Sequence, residues 1–318
     1  MTSSSLGRSA SAPLTLLPTD DRYAALWERS PGRTPFSHPD AVAAYGRAFR
    51  LNACVVMLDD GAAAVPVFQK RRGPLRAAAL PPLCPVLRPL LAQPPSEAAS
   101  HARASPLDRL LALLDGQAHQ LTLALGADDL RPYLWAGWTA TPRATYRLDL
   151  GGDLGAGYSS NVRRTLKSDS DAFEIVEDDA LAGQAVGLMT TSYRRGGADL
   201  GLDTRAVAGL AEAFGQAGLA RTFAARRGGA VEAAITIATD GRTAFYWIAG
   251  SRPGPAMTVL LDGVLGRLAE AGVEAFDFCG ANVPSIAEFK RRFGPSLAPA
   301  PIVRRVTHPA LRLLDRFR

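Results

Sequence analysis

Sulfur and imidazole are sparse. Three cysteines, Cys54, Cys84 and Cys279, stand far apart without a C-x-x-C pair, which points to a reducing compartment and away from a disulfide framework or a zinc site. The four histidines, His38, His101, His119 and His308, are equally scattered, so no ligand set is visible and no metal is expected. G-x-G-x-x-G, G-x-S-x-G and H-E-x-x-H are all missing, which lowers the Rossmann oxidoreductase, hydrolase and metalloprotease readings. Long apolar runs are missing as well. The most apolar region, Ala77 to Leu91, is broken by Pro81, Pro82, Pro85 and Pro89 and cannot form the helix of ~20 residues that spans a bilayer. Residues 1–12, rich in Ser and Ala with Arg8 as the one charge, lack the apolar segment of a secretory signal and are expected to be a disordered tail. The expected location is the cytoplasm.

What is present fits a soluble globular chain: hydrophobic residues make up 47% and charged ones 21%. Its 318 residues exceed the ~250 at which single cores stop growing, so two domains are expected. The net charge of +6 is mild and suits a polyanionic partner such as a nucleotide, CoA or RNA without demanding one.

A repeat organises the chain. Pro39 to Phe49 has the pattern of a helix, with Val42, Tyr45 and Phe49 on one face and His38 as its entry residue. Then come three strands, Ala53 to Leu58, Ala63 to Gln69 and Leu75 to Leu80, joined by turns at Gly61 and Gly73. The same succession returns at Leu219 to Ala225, Val231 to Ala238 and Thr243 to Ala249, with turns at Gly229 and Gly241 in the same register. Between the halves, residues 92–106 have the composition of a loop, and Trp135 and Trp138 are expected in the core.

The chemistry is expected between Phe276 and Gly294. Ala275 to Phe278 has the period of a strand, Gly280 breaks it, and Pro284 opens a helix whose Ile286, Phe289 and Phe293 share a face. Asp277 at the strand end and Lys290 on the helix can converge at one sheet edge, where open α/β sheets place their ligands. Upstream, Thr243 to Ala249 runs through Gly250-Ser-Arg252-Pro-Gly254-Pro-Ala256 into a helix from Met257. A glycine-containing loop before a helix N-terminus suits a phosphate, to which Arg252 adds charge.

Ser160-Asn-Val-Arg163-Arg164-Thr-Leu-Lys167, the pair Tyr246-Trp247, and Phe276-Asp-Phe-Cys-Gly280 with Phe289-Lys-Arg-Arg-Phe-Gly294 together resemble the GNAT acyltransferases, in their tandem FemAB-like branch. In the first half only the helix, the meander and Leu80-Pro81-Pro82 are similar, as in a diverged copy. The resemblance implies an α/β fold of two tandem GNAT-like domains, residues 13–140 and 141–318, each a mixed sheet with helices on both faces. It also implies transfer of an acyl group, acetyl first, from acyl-CoA to an amine of a small-molecule or peptide acceptor. Peptidoglycan-building relatives use aminoacyl-tRNA, so a tRNA-dependent transferase acting on a peptidoglycan precursor is the alternative. A non-catalytic binding module on the same fold is the third reading. DNA is not an expected partner.

By the same resemblance Lys290 is the position nearest the reaction, able to hold the acyl carbonyl or a donor phosphate, while Asp277 orients or deprotonates the amine. Arg252, Gly254 and Ala256 fit in part the GNAT pyrophosphate loop R/Q-x-x-G-x-G/A and are the cofactor-binding candidates. Arg163, Arg164, Lys167, Tyr246, Trp247 and Asn282 are the substrate-binding candidates. Glu232 is a second base candidate, since GNAT enzymes often place an acid on that strand, with a solvent-facing strand residue as the other reading. Cys279 has no histidine near it in sequence and is expected to be inert.

Overall fold

A computed structural model describes residues 14–94, 105–309 and 311; the tail expected over residues 1–12 lies outside them. The first unit opens with β1 (Leu14–Leu16), α1 (Asp21–Arg29) and α2 (Pro39–Phe49). His38 caps α2, its Nδ1 accepting from the Asp40 amide at 3.2 Å, and Pro39 stands at the first helical position, where no amide is needed. The meander follows as β2 (Asn52–Met57), β3 (Ala63–Arg72) and β4 (Leu75–Ala78), then β5 (Leu90–Leu91), α3 (Pro106–Leu114), β6 (Gln120–Ala124), α4 (Arg131–Trp135) and β7 (Thr139–Thr141).

The second unit runs β8 (Ala144–Asp149), α5 (Ser160–Asp169), β9 (Glu174–Glu177), α6 (Ala182–Arg195), α7 (Thr204–Gln216), β10 (Ala220–Arg227), β11 (Ala230–Thr239) and β12 (Thr243–Ser251). It continues through α8 (Ala256–Glu270), β13 (Ala275–Asp277), α9 (Pro284–Arg291), β14 (Ser296–Pro299) and β15 (Ile302–Val306).

The two sheets have one plan. The first is ordered β1-β2-β3-β4-β6-β15-β7, and the second β9-β10-β11-β12-β13-β8-β14 when read from the matching end. Each holds one parallel pair, β4 with β6 and β12 with β13, at the same place in its order. The meanders at β2–β4 and β10–β12 are therefore equivalent, as the glycine spacing predicts. One strand departs from a division at residue 140: β15 crosses back to pair with β6 and β7, filling in the first sheet the place that β8 holds in the second. The first unit has no described strand of its own before β1 for that position, and an open edge beside β6 would leave backbone groups unpaired.

A continuous buried cluster joins the units, running from α2, β2 and β3 into α6, α7 and β12. Phe36 stands 5.1 Å from the Phe245 ring and 5.9 Å from that of Trp247. The Leu83 carbonyl accepts from the Tyr45 hydroxyl at 2.8 Å and from Trp247 Nε1 at 2.7 Å, tying a loop of the first unit to β12. Large side chains buried this way contribute about 1.5–3 kcal/mol each, so a handful matches the net stability of a domain. A second cluster fills the other face of the second sheet beneath α5 and α8. Trp138 is in the core as expected, but Trp135 is 63% exposed, because it ends the short α4 on the side away from Tyr133. No helix among the described residues is long and apolar enough to cross a membrane.

The motif Phe289-Lys-Arg-Arg-Phe-Gly294 ends in a glycine for a steric reason. Gly294 has φ +74, and a Cβ there would lie 2.5 Å from the Gly157 carbonyl oxygen, so two backbones touch where α9 ends and the approach to α5 begins. Gly294→Ala is expected to lower stability by roughly 2–4 kcal/mol, combining backbone strain with overlap. Gly73→Ala, at φ +60 with nothing within 4 Å of its Cβ, should lose only the strain, about 1 kcal/mol. Equal urea midpoints for the two variants would refute the close approach.

Candidate active site

β12 and β13 pair at three positions, Thr243–Ala275, Ala244–Phe276 and Phe245–Asp277, and then part. β12 continues to Ser251 while β13 ends at Asp277 and turns. The register of β11 and β12 slips between Ile237–Tyr246 and Thr236–Ile248, making Trp247 the extra residue of a bulge, and a bulge bends its strand. Beyond Phe245 the β13-side edge of β12 has no strand beside it among the described residues.

Parting strands leave carbonyls to be satisfied. Lys290 Nζ donates to the carbonyls of Phe278 and Gly280 at 2.6 and 2.9 Å. It also lies 5.4 Å from the centroid of the Tyr246 ring, which stacks on Phe278. Lys290 is 5% exposed and is the buried residue of α9 rather than a border residue, since the core position in this segment is taken by Phe293 beyond the helix end. Burial lowers its pKa below the ordinary lysine value, against the influence of Cys279 and Asp277.

Asp277 stands on the other side of this turn and is 8% exposed. Its Oδ1 accepts from Thr145 Oγ1 at 2.5 Å and from the Cys279 amide at 2.7 Å, and Thr145 Oγ1 accepts from the Gly280 amide at 2.9 Å. Its Oδ2 has no hydrogen bond to a described residue. Burial raises the pKa of Asp277 above the ordinary aspartate value, opposed by the Thr145 hydroxyl, the Cys279 amide, and the charges of Arg147 and Lys290. Cys279 has φ +54, a left-handed conformation held by the bonds on either side of it.

Asp277, Cys279 and Gly280 line a cavity of about 160 Å³ between the units. Leu80, Cys84 and Val86 of the first unit form one wall, β8 another, and the crossover from Pro299 to Ile302 a third. Burial pushes the thiols of both Cys84 and Cys279 up, so each is protonated at neutral pH and neither is a ready nucleophile.

The remaining candidates disperse. Asn282 reaches the cavity, but its amide group is engaged with the backbone of Ala144, accepting at 3.1 Å and donating at 2.9 Å. Tyr246 lies behind the turn and Trp247 is tied to Leu83. Arg252 and Gly254 are exposed and Ala256 buried in the loop at the far end of β12, about 20 Å along the strand from Phe245. Arg163, Arg164 and Lys167 are exposed on α5 and do not line the cavity. Glu232 forms a two-bond pair with Arg227, both contacts at 2.9 Å. Arg143, Thr145 and Arg147 are absent from the sequence candidates, although Arg-x-Thr-x-Arg is the pattern of one polar strand face. Among the described residues no group of three or more His, Cys, Asp or Glu is placed to hold a metal.

The profile of the family described as Acetyltransferase (GNAT) domain matches residues 157–291. No curated protein matches the chain. Among solved structures, FemX is similar over 95% of this chain and 100% of its own, at 11% identity and a TM-score of 0.72. L-PGS from Bacillus licheniformis covers 94% of this chain and 96% of its own at 12% identity and 0.60. A tandem GNAT protein from the clavulanic acid biosynthesis pathway covers 94% and 98% at 17% and 0.54. The fold is thus the GNAT fold in tandem. Residues 157–291 thus resemble the GNAT acetyltransferase domain, and the whole chain shares the fold of FemX and of the tandem GNAT protein.

Two outcomes follow for the turn. Lys290→Met leaves two buried carbonyls without a donor and should cost about 1–3 kcal/mol for each, measured by urea denaturation; a change within ~0.5 kcal/mol would show a merely superficial lysine. Burial holds the folded pKa of Asp277 above that of an ordinary aspartate, so the native state binds the extra proton and stability falls as pH rises from the ordinary aspartate range through the raised value. Asp277→Asn retains an Oδ1 for both accepted bonds and should flatten that fall between mildly acidic and neutral pH. An unchanged pH profile in the variant would assign the fall to other groups.

Proposed function

We propose that the chain transfers an acyl group, acetyl or a relative, from a CoA thioester to an amine at the point where β12 and β13 part. One observation carries the reading: from Tyr246 to Gly250, β12 keeps an edge with no strand beside it among the described residues, leading from Asp277 toward the start of α8, while at Ser251 the backbone amide and carbonyl are held by Ser192 and Arg195. An extended arm that carries amides, as the pantetheine of CoA does, adds to such an edge as a further strand. At the far end, the first amides of α8 and the positive end of its dipole suit a pyrophosphate, with Arg252 beside them. The match to GNAT acetyltransferases supports the class of reaction.

At the near end, Asp277 Oδ2 takes one proton from the acceptor ammonium. The freed lone pair attacks the thioester carbonyl carbon, the carbon–sulfur bond breaks, and the thiolate leaves with the second amine proton. A carboxylate whose pKa is raised is a better base for this than an ordinary one. Lys290 has two of its three protons committed to carbonyls, so its main part is to hold the turn that presents Asp277, with at most one proton for the acyl oxygen.

A second reading has one feature in its favour. Pro253 and Pro255 remove two amides from the loop that would cradle a pyrophosphate, which suits an aminoacyl-tRNA donor and a peptidoglycan-type acceptor better. Calorimetry with CoA separates the two. Wild type should bind, gaining about 2.7 kcal/mol of stability at one hundred times the dissociation constant, and Arg252→Ala should bind more weakly. No heat from wild type would favour aminoacyl-tRNA, and equal affinity in both proteins would remove Arg252 from the site.

A further inference from the structure

Arg143, just before β8, and Thr145 and Arg147 on it border the cavity at alternate positions. Arg147 is paired in register with Asp277 on β13, yet the Asp277 carboxylate is taken diagonally by Thr145. Neither Arg143 nor Arg147 has a side-chain hydrogen bond or ion pair to a described residue, and both are exposed at the cavity. Their Cα atoms are about 13 Å apart, within reach of a common point for two long side chains. Asp277, whose Oδ2 has no hydrogen bond to a described residue and can accept from an ammonium, thus lines the cavity together with two arginines on the neighbouring strand that can take an anion.

The rest of the lining is apolar: Leu80, Pro85, Val86, Ala124, Pro299 and Ile302. Its volume of about 160 Å³ suits a small ligand. A cavity of ~150 Å³ accommodates benzene, and alanine has benzene's count of non-hydrogen atoms.

We propose that this cavity binds the acceptor, and that the acceptor is a small α-amino acid: its ammonium on Asp277 Oδ2, its carboxylate on Arg143 and Arg147, and its short side chain on the apolar wall. This rests on the acyl-transfer reading and adds to it a substrate class and two specificity-determining arginines. Guanidinium and carboxylate match as planar, two-bond partners, so the arginines select for a free carboxylate beside the reacting amine. The product is an N-acyl amino acid, whose neutral amide no longer interacts with Asp277 as a cation. It should leave more readily than the substrate.

Calorimetric titration of the purified chain with glycine, L-alanine, L-serine and L-valine, without any acyl donor, tests the class. At least one is expected to bind, and its carboxamide to bind about tenfold more weakly or worse. The double variant Arg143→Gln/Arg147→Gln should lose that preference while remaining cooperatively folded, because both groups are exposed and neither has a side-chain hydrogen bond to a described residue. No binding by any member, or equal binding of acid and amide, overturns the proposal. Tighter binding of phosphoethanolamine than of every amino acid would reassign the anion to a phosphate and also overturn it. A chain that selects the amino acid but transfers no acyl group from acetyl-CoA would leave the site standing and remove the CoA-donor reading. Acetylation of acid and amide with equal kcat/KM would do the reverse.

Discussion

Two parallel strands that separate inside a protein strand their backbone polar groups away from water, and each group left so costs about as much as a lost hydrogen bond. β12 and β13 separate after Phe245 and Asp277, and the Lys290 ammonium is what makes this tolerable, closing on the carbonyls of Phe278 and Gly280 from one side of the sheet. From the other side Thr145 and the Cys279 amide close on Asp277. A cation and an anion thus face each other across one turn of backbone, and Cys279 is held in a left-handed conformation between them. Burial disfavours the charge on both groups, raising the pKa of Asp277 and lowering that of Lys290. A carboxylate kept in a buried place by a fixed cation is a reactive group held ready, at a cost that the surrounding core offsets.

The cavity beside Asp277 depends on the exchange of β15. To reach the first sheet, the chain after β14 passes between the units, and this passage, Pro299 to Ile302, is one wall of the cavity. The opposite wall comes from the first unit, whose loop through Leu83 is pinned by Tyr45 and Trp247. A single GNAT-like unit would hold Asp277 and Lys290 but would leave Asp277 open to solvent on this side. Duplication therefore contributes more than stability: the second copy of the fold supplies the enclosure in which a small ligand can be surrounded.

Much of this was legible in the sequence. The equal spacing of the turn glycines marked the two meanders, and Pro284 and the Phe289–Gly294 motif marked the helix that carries Lys290. What was not legible depends on contacts remote in the chain. The role of Lys290 follows from carbonyls ten and twelve residues away that only the fold brings to it, so helical periodicity placed it at the edge of a face when it is buried. Trp135 and Trp138 have the same chemistry, and only the length of α4 decides that the first is exposed and the second buried. The return of β15 had no local signal at all, because an edge strand and an exchanged strand have the same pattern. The Arg143–Arg147 alternation was visible, but a polar strand face is the commonest thing an exposed strand shows, and only its position opposite Asp277 gives it a meaning.

Net charge illustrates the same limit. An excess of +6 suggested a basic surface for a polyanion. Yet Arg22, Arg221, Arg227, Arg242 and Arg305 each hold a nearby carboxylate through two bonds, and pairs of this kind cancel their own fields at short range. What matters for recognition is which cations are left over and where. Arg143 and Arg147 are left over, on the strand face that borders the cavity and beside a carboxylate whose second oxygen is free. A long polyanion needs a wide field of such charges, whereas a small zwitterion needs one cation cluster and one anion at molecular distance. The arrangement around Asp277 meets the second requirement, which is why the selectivity of this site is expected to lie in the acceptor.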